Sequence, residues 1–174
     1  TIDTALMGSL TTVGVSASAA TGDTLFTGLA NLVNAEMKNG AGDLTVTYNG
    51  LGSIAGTADA MTLTTAAQTG GTFTADGIEN LTVNSTVAKN TVTLASDALK
   101  SVTVTGSAAL NLGTLNFAAN GTKTAPGAVG DASAATGAVT LTTTASEVFD
   151  IKGGTGNDTF TLGSFTADDI IDGG

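Results

Sequence analysis

Gly153-Gly154-Thr155-Gly156-Asn157-Asp158-Thr159-Phe160-Thr161 satisfies every fixed position of the nine-residue pattern G-G-x-G-x-D-x-U-x, where U is a large apolar residue. Each position has a physical reason. Glycines permit a turn tight enough for backbone carbonyls to converge on a hard cation, and Asp158 adds an anionic oxygen. Phe160, two residues later, enters a core. A plain Gly-Asn-Asp turn ahead of an ordinary strand needs neither the Gly153-Gly154 pair nor a large apolar residue at the eighth position. The stretch therefore predicts a calcium-organised parallel β-solenoid.

The pattern has an echo. Gly173-Gly174 repeats Gly153-Gly154 after 20 residues, and Phe149-x-Ile151 and Asp169-x-Ile171 stand in matching places before the two pairs. That interval reads as one coil. Asp172, just ahead of the second pair, is a further candidate ligand, and the repeat region is expected to continue beyond Gly174.

Working outward, most of the chain alternates with a period of two. Leu44-x-Val46-x-Tyr48, Met61-x-Leu63, Leu81-x-Val83, Val92-x-Leu94, Val102-x-Val104, Leu110-x-Leu112, Val139-x-Leu141, Phe149-x-Ile151 and Phe160-x-Leu162 each put one face inward. From Leu81 to Leu112 successive pairs begin 11, 10 and 8 residues apart, and from Val139 to Phe160 they begin 10 and 11 apart. Two strands then make one coil of about 20 residues, the interval of the glycine pairs. Short strands at such spacing also suit sandwiches and barrels. The nonapeptide decides for a solenoid, whose coils stack into ladders of like side chains.

Two stretches depart from this period. Leu25, Phe26, Leu29, Leu32, Val33 and Met37 recur at helical spacing, with Asp23 as N-cap and Gly40 beyond the end, and predict one helix over 24–38. Residues 118–137 carry the one proline, Pro126, and no strand pattern, and predict a loop inserted in the solenoid wall. The chain accordingly divides into an N-terminal segment, 1–50, with the helix and a first strand, and a β-solenoid over 51–174. The fold class expected is mainly β, a parallel β-solenoid with one short N-terminal helix.

Composition narrows the function. Of the 174 residues 41% are hydrophobic, enough for a core, but only 4% are aromatic, so the core is narrow. Threonine fills about a fifth of the chain and favours strands with a hydroxylated outer face. The net charge is −10 and all five cations are lysines, which makes nucleic acid a poor partner. No apolar run reaches the roughly 18 residues of a spanning helix, so no transmembrane segment is expected. With neither His nor Cys there is no Ser-His-Asp triad, cysteine nucleophile, disulfide, or imidazole or thiolate zinc site.

Carboxylate chemistry remains, but glycoside hydrolysis needs two acids facing one cleft. Asp168 and Asp169 are adjacent, and on a strand they would point to opposite faces. Lys100, between Leu99 and Val102, reads as a solubilising outer-face residue rather than the base of a polysaccharide lyase. No enzyme is expected.

The nonapeptide, with Gly77-Ile78-Glu79-Asn80-Leu81-Thr82-Val83 and Leu99-Lys100-Ser101-Val102-Thr103-Val104-Thr105-Gly106, resembles the repeat regions of bacterial surface-layer proteins of the RTX type. The likeness runs from about Ile78 to Gly174, without the loop. It implies type I secretion from a Gram-negative cell, an extracellular place at the cell surface, and Ca2+ as the cofactor that folds coils and joins subunits. On the matching positions it implies the Asp158 carboxylate and the Gly154 and Gly156 carbonyls as metal ligands, with Gly153 and Thr155 shaping the turn. Thr21-Gly22-Asp23-Thr24-Leu25 and Gly40-Ala41-Gly42-Asp43-Leu44 are degenerate copies, one residue short between glycine and Asp.

The function expected is therefore a structural, self-assembling subunit of a surface layer or filament. A repeat segment of a secreted RTX adhesin or toxin is the alternative, and a carbohydrate-active solenoid a distant third. Partners would be copies of the chain itself, with cell-surface polysaccharide as a further candidate.

Overall fold

A strand with apolar residues at alternate positions buries one face only if a second layer covers it, and its backbone groups need partners on both sides. This chain meets both needs by coiling. The computed structural model describes residues 1–50, 54–118, 126–144 and 148–174. Its strands are β1 (Ile2–Asp3), β2 (Thr12–Ser16), β3 (Asp23–Leu29), β4 (Asn34–Lys38), β5 (Asp43–Tyr48), β6 (Ala60–Ala66), β7 (Thr69–Ala75) and β8 (Asn80–Thr86). They continue as β9 (Asn90–Ala95), β10 (Ser101–Gly106), β11 (Leu110–Leu115), β12 (Ala128–Ala135), β13 (Val139–Thr143), β14 (Phe149–Lys152), β15 (Thr159–Thr161) and β16 (Ile170–Asp172).

Odd-numbered strands form one eight-stranded sheet in the order β1-β3-β5-β7-β9-β11-β13-β15, and even-numbered strands form the other in the same progression. The pairings are parallel, and each strand pairs with the strands two before and two after it rather than with its neighbour in sequence. Each coil thus gives one strand to each sheet, which makes the fold a parallel β-solenoid of about 8 turns. Among the described residues no helix is long and apolar enough to cross a membrane.

The inward face is a set of ladders. Met61, Leu81, Val102, Gly130, Ile151 and Ile171 lie side by side along the even-numbered sheet, and Leu44, Phe73 and Leu94 along the odd-numbered one. Leu44, Leu63, Val83 and Leu112 are wholly buried. Thr62, Thr82 and Thr103 stack on the outward side of the even-numbered sheet, as the period-two reading requires.

Coil length is near 20 residues, with two exceptions. Hydrogen-bond partners in adjacent coils are 20 residues apart at Asp59 and Glu79 and 21 apart at Asn80 and Ser101, but 28 apart at Asn34 and Thr62 and 29 apart at Asp43 and Thr72. The pairing of Leu110 with Val139 spans a similarly enlarged coil. The extra residues fall in sequence between β5 and β6 and between β11 and β12, both passages from an odd strand to an even one. The opposite edge is tighter, its connections two to six residues long: 17–22, 39–42, 67–68, 87–89, 107–109, 136–138 and 153–158.

The helix expected over 24–38 is absent. Those residues form β3, a corner and β4, in which Ala35 and Met37 are fully buried at alternate positions. Gly28, inside the expected helix, has φ of 75°, which an α-helix cannot accommodate. Asp23 opens β3 beside Asp43 instead of capping a helix, and Gly40 lies in a corner against the backbone of Ser18. Pairing with flanking coils satisfies the backbone of both strands, and helical spacing of the apolar residues does not outweigh that.

The insertion expected over 118–137 is also too long. Residues 128–135 are β12, paired on both sides with β10 and β14. Its inward residues are Ala128, Gly130 and Ala132, all buried, and such small side chains carry little hydrophobic signal. Residues 119–125 lie outside the described residues.

Candidate functional site

The nonapeptide forms the connection from β14 to β15, on the tight edge. Its glycines are required by close approach. A Cβ on Gly154 would stand 2.6 Å from the Ala132 carbonyl oxygen and closer still to that of Ala135; one on Gly156 would stand 2.6 Å from the Ala138 nitrogen. The Thr155 N–H donates to the Ala135 carbonyl at 3.1 Å, so the turn packs directly onto the preceding coil. Phe160 is partly buried against the core, as the eighth position demands.

Asp158 joins two coils. Its Oδ1 accepts the Val139 N–H at 2.8 Å and its Oδ2 accepts the Gly154 N–H at 2.8 Å. Each carboxylate oxygen retains a further lone pair. Gly153 leaves no room for a side chain: a Cβ there would lie 2.7 Å from Asp158 Oδ2 and still closer to the Gly173 carbonyl oxygen of the next coil. An oxygen from each of two coils thus lies close to the Gly153 backbone, and an all-oxygen donor set suits a hard cation.

Asp172 is placed differently. It lies in β16 beside Lys152, its Oδ1 accepts the Gly174 N–H at 3.1 Å and its backbone carbonyl accepts the Gly153 N–H at 2.7 Å. Its backbone, rather than its carboxylate, meets the nonapeptide turn. Among the described residues no cluster of three or more acidic side chains suited to a metal occurs. The degenerate copies occupy the same edge in earlier coils, where Asp43 Oδ1 accepts the Thr72 N–H at 2.7 Å.

That use of side chains is general, and sequence reading missed it. Asp97 Oδ1 takes the Gly77 N–H, Glu79 Oε2 that of Asp59, Asn90 Oδ1 that of Gln68 and Asp169 Oδ1 that of Phe149, each from an adjacent coil. Acidic and amide residues at the corners thus close donors that sheet pairing leaves open. The recurrence of Asp or Asn every coil is the signal that would have revealed it. Lys100, with Nζ 3.9 Å from Glu79 Oε1 and donating to the Thr57 carbonyl, extends one such staple. Asp168 and Asp169 lie in the turn before β16, not on a strand.

Hydrogen bonds shift two carboxyl groups, Asp131 within its own strand β12 and Asp169 across coils. The Ser133 hydroxyl and N–H hold Asp131 below the ordinary carboxylate range, with Lys152 adding to the effect. Burial pushes Asp169 up, but donation from Phe149 and Thr166 outweighs it and the carboxyl titrates low.

Comparison with known proteins finds no matching family model and no similar curated protein or solved structure.

Proposed function

We propose that this chain is a non-catalytic, calcium-dependent building block of an extracellular bacterial surface layer or filament. The observation that carries this reading is the position of the nonapeptide: Asp158, Gly153 and the Gly173 carbonyl meet where two coils stack. Calcium at that junction would be held by the Asp158 carboxylate and by carbonyls of Gly154, Gly156 and Gly173, and would supply the positive charge that an acidic chain of net −10 lacks. The absence of His and Cys from the sequence fits a scaffold better than a hydrolase.

The test is dialysis of the purified protein into calcium or into matched magnesium, followed by electron microscopy. Ordered sheets or filaments in calcium are expected. Equal order in magnesium alone, or a monomer in every condition that cleaves glycans, would overturn the reading.

A further inference from the structure

An asparagine followed by glycine is chemically labile to a degree that the fold controls. The glycine nitrogen can attack the asparagine Cγ, and a residue without a Cβ puts little in its path. The chain holds three such pairs, Asn39-Gly40, Asn49-Gly50 and Asn120-Gly121, the last outside the described residues. Both described asparagines are exposed. Their glycines are held differently.

Gly40 is clamped between coils. Its carbonyl accepts the Thr69 N–H at 2.7 Å and the Thr69 hydroxyl at 3.0 Å. On the other side a Cβ on Gly40 would stand 2.7 Å from the Ser18 nitrogen, and the next residue, Ala41, donates its N–H to the Ser18 carbonyl at 2.9 Å. Turning the Gly40 nitrogen onto Asn39 would disrupt this stack. Gly50 lies in the enlarged connection between β5 and β6, just past the rung where the Asn49 N–H meets the Leu29 carbonyl at 2.7 Å. It is exposed, its φ is 89°, and nothing lies within 4 Å of where a Cβ would stand. Its N–H donates at 3.2 Å to the Tyr48 carbonyl two residues back, a bond inside its own turn.

We propose that Asn49 is a site of spontaneous modification, deamidating in the folded protein while Asn39 is protected. The Gly50 nitrogen loses its proton to water and bonds to Asn49 Cγ; the Cγ–Nδ2 bond breaks, and the side-chain nitrogen takes up a proton and leaves as ammonia. Water then opens the five-membered imide at either carbonyl. The product is aspartate or an isoaspartyl link whose main chain runs through Cβ and Cγ. Water is the sole co-reactant, and nothing is oxidised or reduced. Either product adds one negative charge to a chain of net −10, and the isoaspartyl form adds a methylene to the backbone. The connection between β5 and β6 already departs from the coil period and takes up that length, whereas the four-residue corner 39–42, packed on Ser18, does not. This site is independent of the assembly reading above.

The test is peptide mapping by mass spectrometry of the folded protein held in mildly alkaline buffer, with circular dichroism verifying the fold and a urea-unfolded sample alongside. The Asn49 peptide should convert to two acidic products that separate by chromatography. Asn39 reacts only when the coils part, so its conversion should be at least about tenfold slower. In urea the two peptides should convert at similar rates, and Asn49→Gln should remove the acidic form that accumulates first in the folded protein. Equal rates at the two sites in the folded protein, or an Asn49 peptide that reacts only in urea, would overturn the assignment.

Discussion

Val139 donates its backbone N–H to Asp158 Oδ1 at 2.8 Å, so the acid of one coil closes the start of the strand in the coil before it. Removing the carboxylate leaves the N–H groups of Val139 and Gly154 without their acceptor. Asp158→Ala should therefore lower stability by about 1–3 kcal/mol even in excess chelator. In the wild type, calcium at roughly 10⁻⁴ to 10⁻³ M should raise the melting temperature, and in Asp158→Ala that increment should vanish. Calorimetry with and without chelator separates the two effects. Identical wild-type melting in both conditions would rule out the cation.

The inward ladder predicts a sharp asymmetry between neighbours. Val102 is 1% exposed between Leu81 and Gly130, while Thr103 faces out. Val102→Asp should abolish the cooperative unfolding transition, because a buried charge there has no partner. Thr103→Asp, which sets a second carboxylate beside Asp131, should cost no more than about 1 kcal/mol. Phe160, only partly buried, should give an intermediate loss on Phe160→Asp. Circular dichroism melts of the three variants test the register, and a more sensitive Thr103 would shift it by one.

Four residues that directly follow even-numbered strands adopt left-handed backbone: Ala17 at φ 57°, Asn39 at 54°, Ala67 at 52° and Val87 at 69°. Val87 is β-branched, 83% exposed and least suited to this conformation. Val87→Asn should stabilise the protein by about 1 kcal/mol by relieving that strain. The urea midpoint should rise with an unchanged slope. A lower midpoint would mean that Val87 contributes packing that its exposure does not suggest.

Acid should destabilise the fold through carboxylates that accept hydrogen bonds from the chain. Asp131 and Asp169 titrate below the ordinary value of 3.8. A depressed folded pKa contributes stability that is present above the unfolded pKa and is lost as pH falls through the folded one. Melting temperature should hold steady from neutrality to about pH 4 and fall below it, and Asp169→Asn should flatten part of that fall. An Asp169→Asn curve parallel to the wild type at every pH would show that this carboxylate does not contribute.

The sequence by itself determined the solenoid, its inward register and its coil length, because these follow from short-range patterns. Alternation at Val102-x-Val104 and Phe149-x-Ile151 names the buried face, and two glycine pairs 20 residues apart measure the coil. The nonapeptide also placed Asp158 at a turn and Phe160 against the core. Tertiary structure decided what local pattern leaves ambiguous. Residues 24–38 carry apolar spacing that suits a helix, yet β3 and β4 prevail because neighbouring coils supply backbone partners at both edges of each strand. Gly130 faces inward because Val102 and Ile151 bracket its rung, and Ala128 and Ala132 follow by alternation, a fact no apolar count reveals. Partners 19 residues away, as Val139 is from Asp158, become neighbours only when the coils stack.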